Sequence, residues 1–310
     1  MIPAGPGLSL RRVIAIPGAA LLLAASLSAQ VFRAGVDTVL LSVTVTDSRN
    51  HPTAGLAQSN FRVFEDGQQQ DIAFFAVERL PIALSLLVDS SQSMEGKLPI
   101  AQAAATGFVR SLGTQDVAQV IDFNKDTQIR QTFTNDQAAL QRAIRAIGVG
   151  GSTSLYTALY IALSELGRHR AESPAELRRQ AIVVLSDGED TSSLKTYDDV
   201  EEATKRSNVA VYAIGLREKL PSAGRFNEAD FALRTLSQVT GGRVFFVDDI
   251  KQLPDVYGQI ADELANQYVI GYNPRNTKRD GAWRQLAVRV DRPETVVRTR
   301  AGYFGPTRER

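Results

Sequence analysis

An aspartate and two serines stand at every second position directly after an apolar run. The residues are Asp89, Ser91 and Ser93, in the pattern D-x-S-x-S, and the run before them is Ile82–Val88. Carboxylate and hydroxyl oxygens are hard donors that suit Mg²⁺, Ca²⁺ or Mn²⁺, and donors spaced two apart on a turn can converge on one cation. The alternative is a polar turn that caps the next helix, because Asp and Ser are also favoured N-cap residues. These three residues alone leave both interpretations open.

Two later segments offer further oxygen donors. Gly148–Ser154 is a glycine-rich loop that ends in three hydroxyl residues, and Asp187 follows a second apolar run, Gln180–Ser186. The loop lacks the glycine and lysine spacing of the known phosphate-binding motifs, so a phosphate site is not expected there. The carboxyl ends of parallel strands meet at one edge of a sheet. If the two runs are neighbouring strands, Asp89 and Asp187 face one point, and the loop before Leu155 can reach it.

The elements that must position these residues alternate between strand and helix. The predicted strands are Ile82–Val88, Val117–Phe123, Thr127–Phe133, Gln180–Ser186, Val209–Gly215 and Arg243–Val247. The predicted helices are Lys97–Leu112, Asp136–Ile147, Leu155–Leu166, Asp198–Ser207, Glu228–Thr240 and Leu253–Gln267. Such alternation predicts an α/β fold with a doubly wound, mostly parallel sheet. The short turn before Thr127 predicts an antiparallel hairpin within it.

Three segments, in their order along the chain, resemble the metal-ion-dependent adhesion site of von Willebrand factor A (VWFA) domains. They are D-x-S-x-S at Asp89–Ser93, G-G-x-T at Gly150–Thr153 and the strand-end D-G at Asp187-Gly188, and no ligand position is substituted. The resemblance covers about residues 80–270. It implies a Rossmann-like α/β fold with one antiparallel edge strand. The flanking strands resemble those of secreted VWFA-related proteins of acidobacteria.

The resemblance also implies a ligand set and a partner. Ser91, Ser93 and Thr153 would bind the metal directly, and Asp89 and Asp187 would act mainly through water. The implied cofactor is Mg²⁺, with Mn²⁺ or Ca²⁺ as alternatives. An Asp or Glu carboxylate of a partner protein would complete the coordination.

Both chain ends carry short alternating strands. The strands near 36–46, 61–64 and 72–77 cannot bury much by themselves, and Leu286–Val290 and Thr295–Arg300 alternate in the same way. We therefore expect one small β-subdomain built from residues 30–80 and 268–310, around a VWFA domain at 81–267. The arginines of 288–300 alternate with apolar residues and are expected to form a solvated strand face.

The first 29 residues have the pattern of a bacterial secretory signal peptide. Arg11 and Arg12 precede an apolar stretch that ends in small residues before Gln30. We expect cleavage near Ala29 and a secreted or periplasmic protein without a membrane span in its mature chain. An uncleaved membrane anchor is the alternative.

Composition excludes several classes of function. The chain has no cysteine, which removes disulfides, thiolate catalysis and cysteine-bound zinc. Its two histidines, His51 and His169, cannot form a three-histidine zinc site. The formal net charge of +1 gives no sign of nucleic-acid binding.

These observations favour a secreted, metal-dependent, adhesion-type binding module over an enzyme. One alternative is a metal-assisted hydrolase with Glu189 or Asp190 as the base. A serine hydrolase would need a histidine at the site, whereas His169 is expected at the far end of its helix, and no G-x-S-x-G motif is present. A structural domain with a vestigial metal site is the remaining alternative.

Overall fold

The computed structural model describes residue 1 and residues 38–77, 79–172, 178–217 and 228–307. Its strands are β1 Val39–Asp47, β2 Phe61–Glu65, β3 Gln68–Gln70, β4 Ile72–Ala76, β5 Ile82–Asp89, β6 Val117–Phe123, β7 Thr127–Thr134, β8 Arg179–Ser186, β9 Val209–Leu216, β10 Val244–Val247, β11 Tyr268–Tyr272, β12 Trp283–Val290, β13 Thr295–Arg298 and β14 Gly302–Phe304. Its α-helices are α1 Leu98–Arg110, α2 Gln137–Arg145, α3 Leu155–Glu172, α4 Tyr197–Arg206, α5 Glu228–Thr240 and α6 Leu253–Ala265. Apart from residue 1, the expected signal peptide lies outside the described residues.

A six-stranded sheet in the order β10-β9-β8-β5-β6-β7 forms the centre of the fold. All neighbours in it are parallel except β7, which runs antiparallel to β6 at one edge. The expected α/β fold with one antiparallel edge strand is therefore confirmed. None of the described helices is long and apolar enough to cross a membrane.

Helices cover both faces of this sheet, and β5 shows why. All eight residues of β5 are buried. Its side chains alternate between two cores: Leu84 and Leu86 pack with α1, α2 and α6, while Ala83 and Leu87 pack with α3, α4 and α5. A strand buried on both faces reads as a continuous apolar run rather than an alternating one. The polar residues that follow β5 thus begin at a fixed place, the carboxyl edge of the central sheet.

The chain-end strands form two sheets rather than one. Their orders are β13-β1-β11-β4 and β14-β12-β2-β3, and every pairing between neighbours is antiparallel. As expected, strands from both chain ends pair with each other, for example β1 with β11 and β2 with β12. The two sheets share one core, to which Leu41, Val63 and Ile270 contribute. Two packed sheets solve the burial problem that a single small sheet would leave.

The Asp66-Gly67 turn forms a hairpin between β2 and the glutamine-rich β3, whereas the apolar β4 pairs with β11 in the other sheet.

One expectation about these strands is wrong, because the arginines of residues 288–300 do not all form a solvated face. Arg289 is exposed, but the side chain of Arg298 is only 20% exposed and pairs with buried Glu263. Alternation along a strand does not reveal that a helix covers its polar side.

Candidate metal site at the carboxyl edge of the central sheet

The two carboxylates follow neighbouring parallel strands. Asp89 is the last residue of β5, and Asp187 comes directly after β8. The two strands are paired in register, with Val88 opposite Leu185. Both acids therefore lie just beyond the same edge of the sheet, where open α/β sheets bind their ligands.

Asp89 is completely buried and oriented by two hydrogen bonds. The Ser186 hydroxyl donates to its Oδ2 at 2.6 Å, and the backbone N–H of Ser91 donates to its Oδ1 at 2.9 Å. Burial raises the pKa of the Asp89 carboxyl, and the negative charge of Asp187 raises it further, while the hydrogen bonds from Ser186 and Ser91 oppose the shift. A nearby cation would stabilise the charged form of this carboxylate.

A row of hydroxyls connects the two acids. The Oγ atoms of Ser91 and Ser93 lie 3.1 Å apart, and Ser93 donates to Oδ1 of Asp187 at 2.7 Å. Ser91 is buried, whereas Ser93 is exposed. The row thus runs from the buried end of the site to its solvent side.

Thr153 reaches the same place from the glycine-rich loop. A methyl group placed on Gly188 would lie 3.6 Å from Oγ1 of Thr153 and 4.0 Å from Oγ of Ser93. The carbonyl of Thr153 accepts hydrogen bonds from the backbone of Thr191 and Ser192, in the loop after Asp187. All five predicted ligand residues therefore meet at one edge of the sheet.

Backbone contacts hold the glycine-rich loop against the loop after β5. The Gly150 N–H donates to the carbonyl of Ser90 at 2.9 Å, and the Gln92 N–H donates to the carbonyl of Gly151 at 3.0 Å. Gly151 has φ of +73°, and a Cβ there would lie 2.8 Å from Cβ of Lys125. Only glycine fits this position without strain, because both the backbone angle and the close approach exclude a side chain.

The structure also places a lysine at the site that the sequence analysis missed. The ammonium of Lys97 donates a hydrogen bond to Oδ2 of Asp187. The Lys97 side chain is 27% exposed, and that of Asp187 is fully buried. Lys97 stands directly before α1, four residues after Ser93. Its place in the sequence gives no signal of this contact, because spacing does not specify the direction of a flexible side chain.

The groups considered for catalysis have other contacts. Oδ1 of Asp190 accepts from the Ser193 hydroxyl at 2.5 Å and from the N–H of Tyr156 in the first turn of α3. His169 stacks on Phe133 with ring centroids 4.4 Å apart, near the opposite end of α3 from the site. His51 lies in the turn after β1 beside Asp47. Neither histidine can activate a serine of the site from these positions.

The donor set fits a hard divalent cation. It consists of two carboxylates and three hydroxyls, and oxygens of this kind suit Mg²⁺, Mn²⁺ or Ca²⁺, whereas structural zinc prefers nitrogen and sulfur. Across the described residues, no group of three or more His, Cys, Asp or Glu side chains is placed to bind a metal. A cation at this edge would thus depend on hydroxyls as much as on carboxylates.

Comparison with known proteins identifies the fold. The family model of the von Willebrand factor type A domain matches residues 84–259, more than half of the chain. The chain belongs to the von Willebrand factor type A (VWA) family. VWA domains are commonly metal-dependent protein-interaction modules, and they are typically not enzymes.

Solved structures agree with this fold at low sequence identity. A von Willebrand factor type A protein from Catenulispora acidiphila is 16% identical, with a TM-score of 0.51 over 88% of this chain and 64% of that one. Proximal thread matrix protein 1 from the mussel byssus, solved with zinc in its metal-ion-dependent adhesion site (MIDAS) motif, is 14% identical. Its TM-score is 0.47, and the match covers 64% of this chain and 49% of that one. This chain thus spans less than two thirds of either protein. No curated protein matches it significantly.

Proposed function

We propose that the protein binds one divalent cation at the carboxyl edge of its central sheet and uses it to hold a carboxylate of a partner protein. Ser91, Ser93 and Thr153 would bind the cation directly, and Asp89 and Asp187 would act mainly through water. The observation that carries the proposal is the row of hydroxyls between two buried carboxylates, since Ser93 donates to Asp187 and lies 3.1 Å from Ser91. These hydroxyls are neutral donors, and the two acids offset the charge of the cation.

The number of carboxylates supports a partner that is acidic. Two carboxylates offset one divalent cation, and Lys97 adds a positive charge beside Asp187, so the site with its cation has no negative charge left to offer. A cation held in this way keeps a position for an additional oxygen ligand, and Ser93 stands on the exposed side of the site. An Asp or Glu of a partner is a stronger ligand than the water it would displace. The loop surface around the site would then decide which partner fits.

The cofactor that we propose is Mg²⁺, with Mn²⁺ or Ca²⁺ as the other candidates. All of them prefer oxygen ligands, and Mg²⁺ characteristically retains several waters, which agrees with carboxylates that act through water. When bound, the cation would supply positive charge that attracts the carboxylate of the partner.

We further propose that the protein acts outside the cytoplasm. The support is the arrangement of Arg11, Arg12 and the apolar stretch that ends near Ala29, which is typical of a secretory signal peptide. In the mature protein, residues 81–267 would form the VWA domain. Residues 30–80 and 268–310 would form a β-subdomain beside it.

A metal-dependent capture experiment tests this function. Purified protein is immobilised and exposed to an extract of the native cell envelope and culture medium, in Mg²⁺ and in EDTA. We expect partner proteins to be retained in Mg²⁺ and released by EDTA. The Asp89→Ala variant, which removes a buried acid of the site, should retain none of them.

Glu294→Gln is the matched control, because it removes one acid from an exposed turn of the chain-end sheets. This variant should retain partner proteins in Mg²⁺ and release them in EDTA, as the wild type does. A partner that remains bound in EDTA, or that Asp89→Ala binds normally, would contradict the proposal.

A further inference from the structure

A second polar cavity lies at the opposite, amino-terminal edge of the central sheet. It is enclosed by the first residues of β8 and β9, the ends of α4, α5 and α6, and Ser42 and Arg300 from the chain-end strands. Its volume of about 20 Å³ has room for one water molecule or one ion of similar size. The cavity is therefore at the other edge of the sheet from the candidate metal site, and it shares no residue with it.

The charges around this cavity are all of one sign. Arg179, Lys205 and Arg300 line it, and none of the described residues that line it carries a carboxylate. Lys205 forms an ion pair with Glu201 at 3.0 Å. The two arginines form no ion pair with any carboxylate in the part of the chain that the structure describes. Buried charges without such partners are costly, so each guanidinium requires compensation of another kind.

Arg179 is buried at the start of β8. It donates to the amide oxygen of Gln267 and to the carbonyl of Leu80, each at 2.8 Å. Burial lowers the pKa of its guanidinium to about 10. Both of its hydrogen-bond acceptors are neutral, and the charge of Asp116 opposes the lowering of its pKa only in part.

Arg300 has fewer hydrogen-bond partners, and its guanidinium lies over the Tyr303 ring at 5.3 Å from the ring centroid. It donates from one terminal nitrogen to the carbonyl of Leu40 at 3.4 Å, and its Nε is buried without a hydrogen-bond partner among the described residues. Burial lowers the pKa of this guanidinium also to about 10. Buried N–H groups are nearly always paired in folded proteins, so an unpaired one beside a polar cavity points to a water molecule or an ion there.

The carboxyl-terminal ends of α4, α5 and α6 lie at the cavity. A cation can compensate the negative end of a helix dipole, so these ends offset part of the positive charge. However, the hydrogen bonds of Arg179 and Arg300 go to Leu80, Gln267 and Leu40, which stand outside the helices. The two guanidinium groups therefore have neither a helix carbonyl nor a carboxylate as a hydrogen-bond partner among the described residues.

We propose that this cavity binds one small inorganic anion of about the size of chloride, held between Arg179 and Arg300. Arg179 belongs to the central sheet, and Arg300 follows β13 in a chain-end sheet. The anion would thus join two parts of the fold that meet at this edge, and its binding would stabilise the native state. The proposal does not depend on the function of the metal site.

A bromide crystal tests the site in the unaltered protein. Crystals grown or soaked in sodium bromide would be measured at the bromine absorption edge. We expect an anomalous peak in the cavity between the two guanidinium groups. A map with no peak in this cavity overturns the proposal.

Thermal unfolding tests whether the anion stabilises the protein in solution. The chloride concentration is raised from about 10 mM to about 300 mM, with gluconate as the replacing anion so that the ionic strength stays constant. We expect the Tm to rise by about 2 °C, because the anion binds only the native state. In Arg300→Met the rise should vanish. In Arg289→Met, which removes an exposed arginine of β12, it should persist. Equal chloride responses in all three proteins, or no response in the wild type, would refute the site.

Discussion

The ammonium of Lys97 and the hydroxyl of Ser93 donate to the two different oxygens of the Asp187 carboxylate. A positive charge thus already contacts one of the two acids that we assign to the divalent cation. Two cations beside one carboxylate repel each other, and the repulsion is strong where solvent is partly excluded. Lys97 is therefore expected to set how tightly the site binds its metal.

Replacement of Lys97 by methionine should strengthen cation binding. The side chain keeps similar length and apolar character, but its charge no longer opposes the metal, so we expect the Kd for Mn²⁺ to fall by about tenfold. Isothermal titration calorimetry measures this directly. Lys97→Arg, which keeps the charge, should show no such gain. Weaker binding in Lys97→Met would instead mean that the lysine orients Asp187 for the metal.

The serines of the loop after β5 should differ sharply in importance. Ser93→Ala and Ser91→Ala each remove a hydroxyl oxygen from the row between Asp89 and Asp187, and we expect each to weaken Mn²⁺ binding by about 10–100-fold. Ser90→Ala is the matched control. Its hydroxyl lies 3.3 Å from Asp122 and from the carbonyl of Phe123, away from the site. Equal losses of Mn²⁺ affinity in all three variants would show that Mn²⁺ binding depends on the fold of the loop and not on the ligand oxygens.

The two glycines of the G-G-x-T segment should respond differently to alanine. Gly151→Ala meets a positive φ and a contact of 2.8 Å with Lys125, so we expect a loss of about 1–3 kcal/mol in the free energy of unfolding. Gly150→Ala meets nothing within 4 Å and should be nearly neutral. Urea unfolding followed by circular dichroism compares the two variants. A larger loss of unfolding free energy in Gly150→Ala than in Gly151→Ala would contradict the geometry of this loop.

A buried ion pair between Glu65 and Arg284 should stabilise the chain-end sheets. The two side chains are almost fully buried and approach to 3.5 Å, and Tyr272 and Tyr303 donate to the same carboxylate. Arg284→Met leaves a buried acid without its cation and should cost about 3 kcal/mol of unfolding free energy.

The double variant Glu65→Gln with Arg284→Met should recover part of this loss, because it removes the uncompensated charge. Chemical unfolding of the two variants in parallel measures the difference. A double variant that is less stable than Arg284→Met alone would mean that the carboxylate acts through its tyrosine hydrogen bonds rather than through the ion pair.

The central sheet could be predicted from sequence because β5 and β8 each contain a mostly apolar run. Polar residues that include Asp89 and Asp187 follow these apolar runs, and neighbouring parallel strands bring the strand ends together. The glycine-rich loop before Leu155 was predicted at the same edge, because it can reach the point that both acids face. Lys97 was missed because its role depends on the direction of one flexible side chain, which periodicity does not specify.

The chain-end sheets were predicted less well, since their strands are short and their partners lie far away along the sequence. Gln68–Gln70 has no apolar pattern, yet it pairs with β2 because the Asp66-Gly67 turn sets that register. Arg300 looked like part of a solvated face. Its partial burial depends on helices from another part of the chain, and no local pattern records that contact.

The central claim is that Asp89, Ser91, Ser93, Thr153 and Asp187 bind one divalent cation. Calorimetric titration of the purified protein with Mn²⁺, repeated on Asp187→Asn and on the control Glu294→Gln, tests it most directly. We predict a single site in the wild type and in Glu294→Gln, and no binding in Asp187→Asn. Absence of binding to the wild type at millimolar Mn²⁺ and Mg²⁺, or unchanged binding in Asp187→Asn, would contradict the assignment of this site.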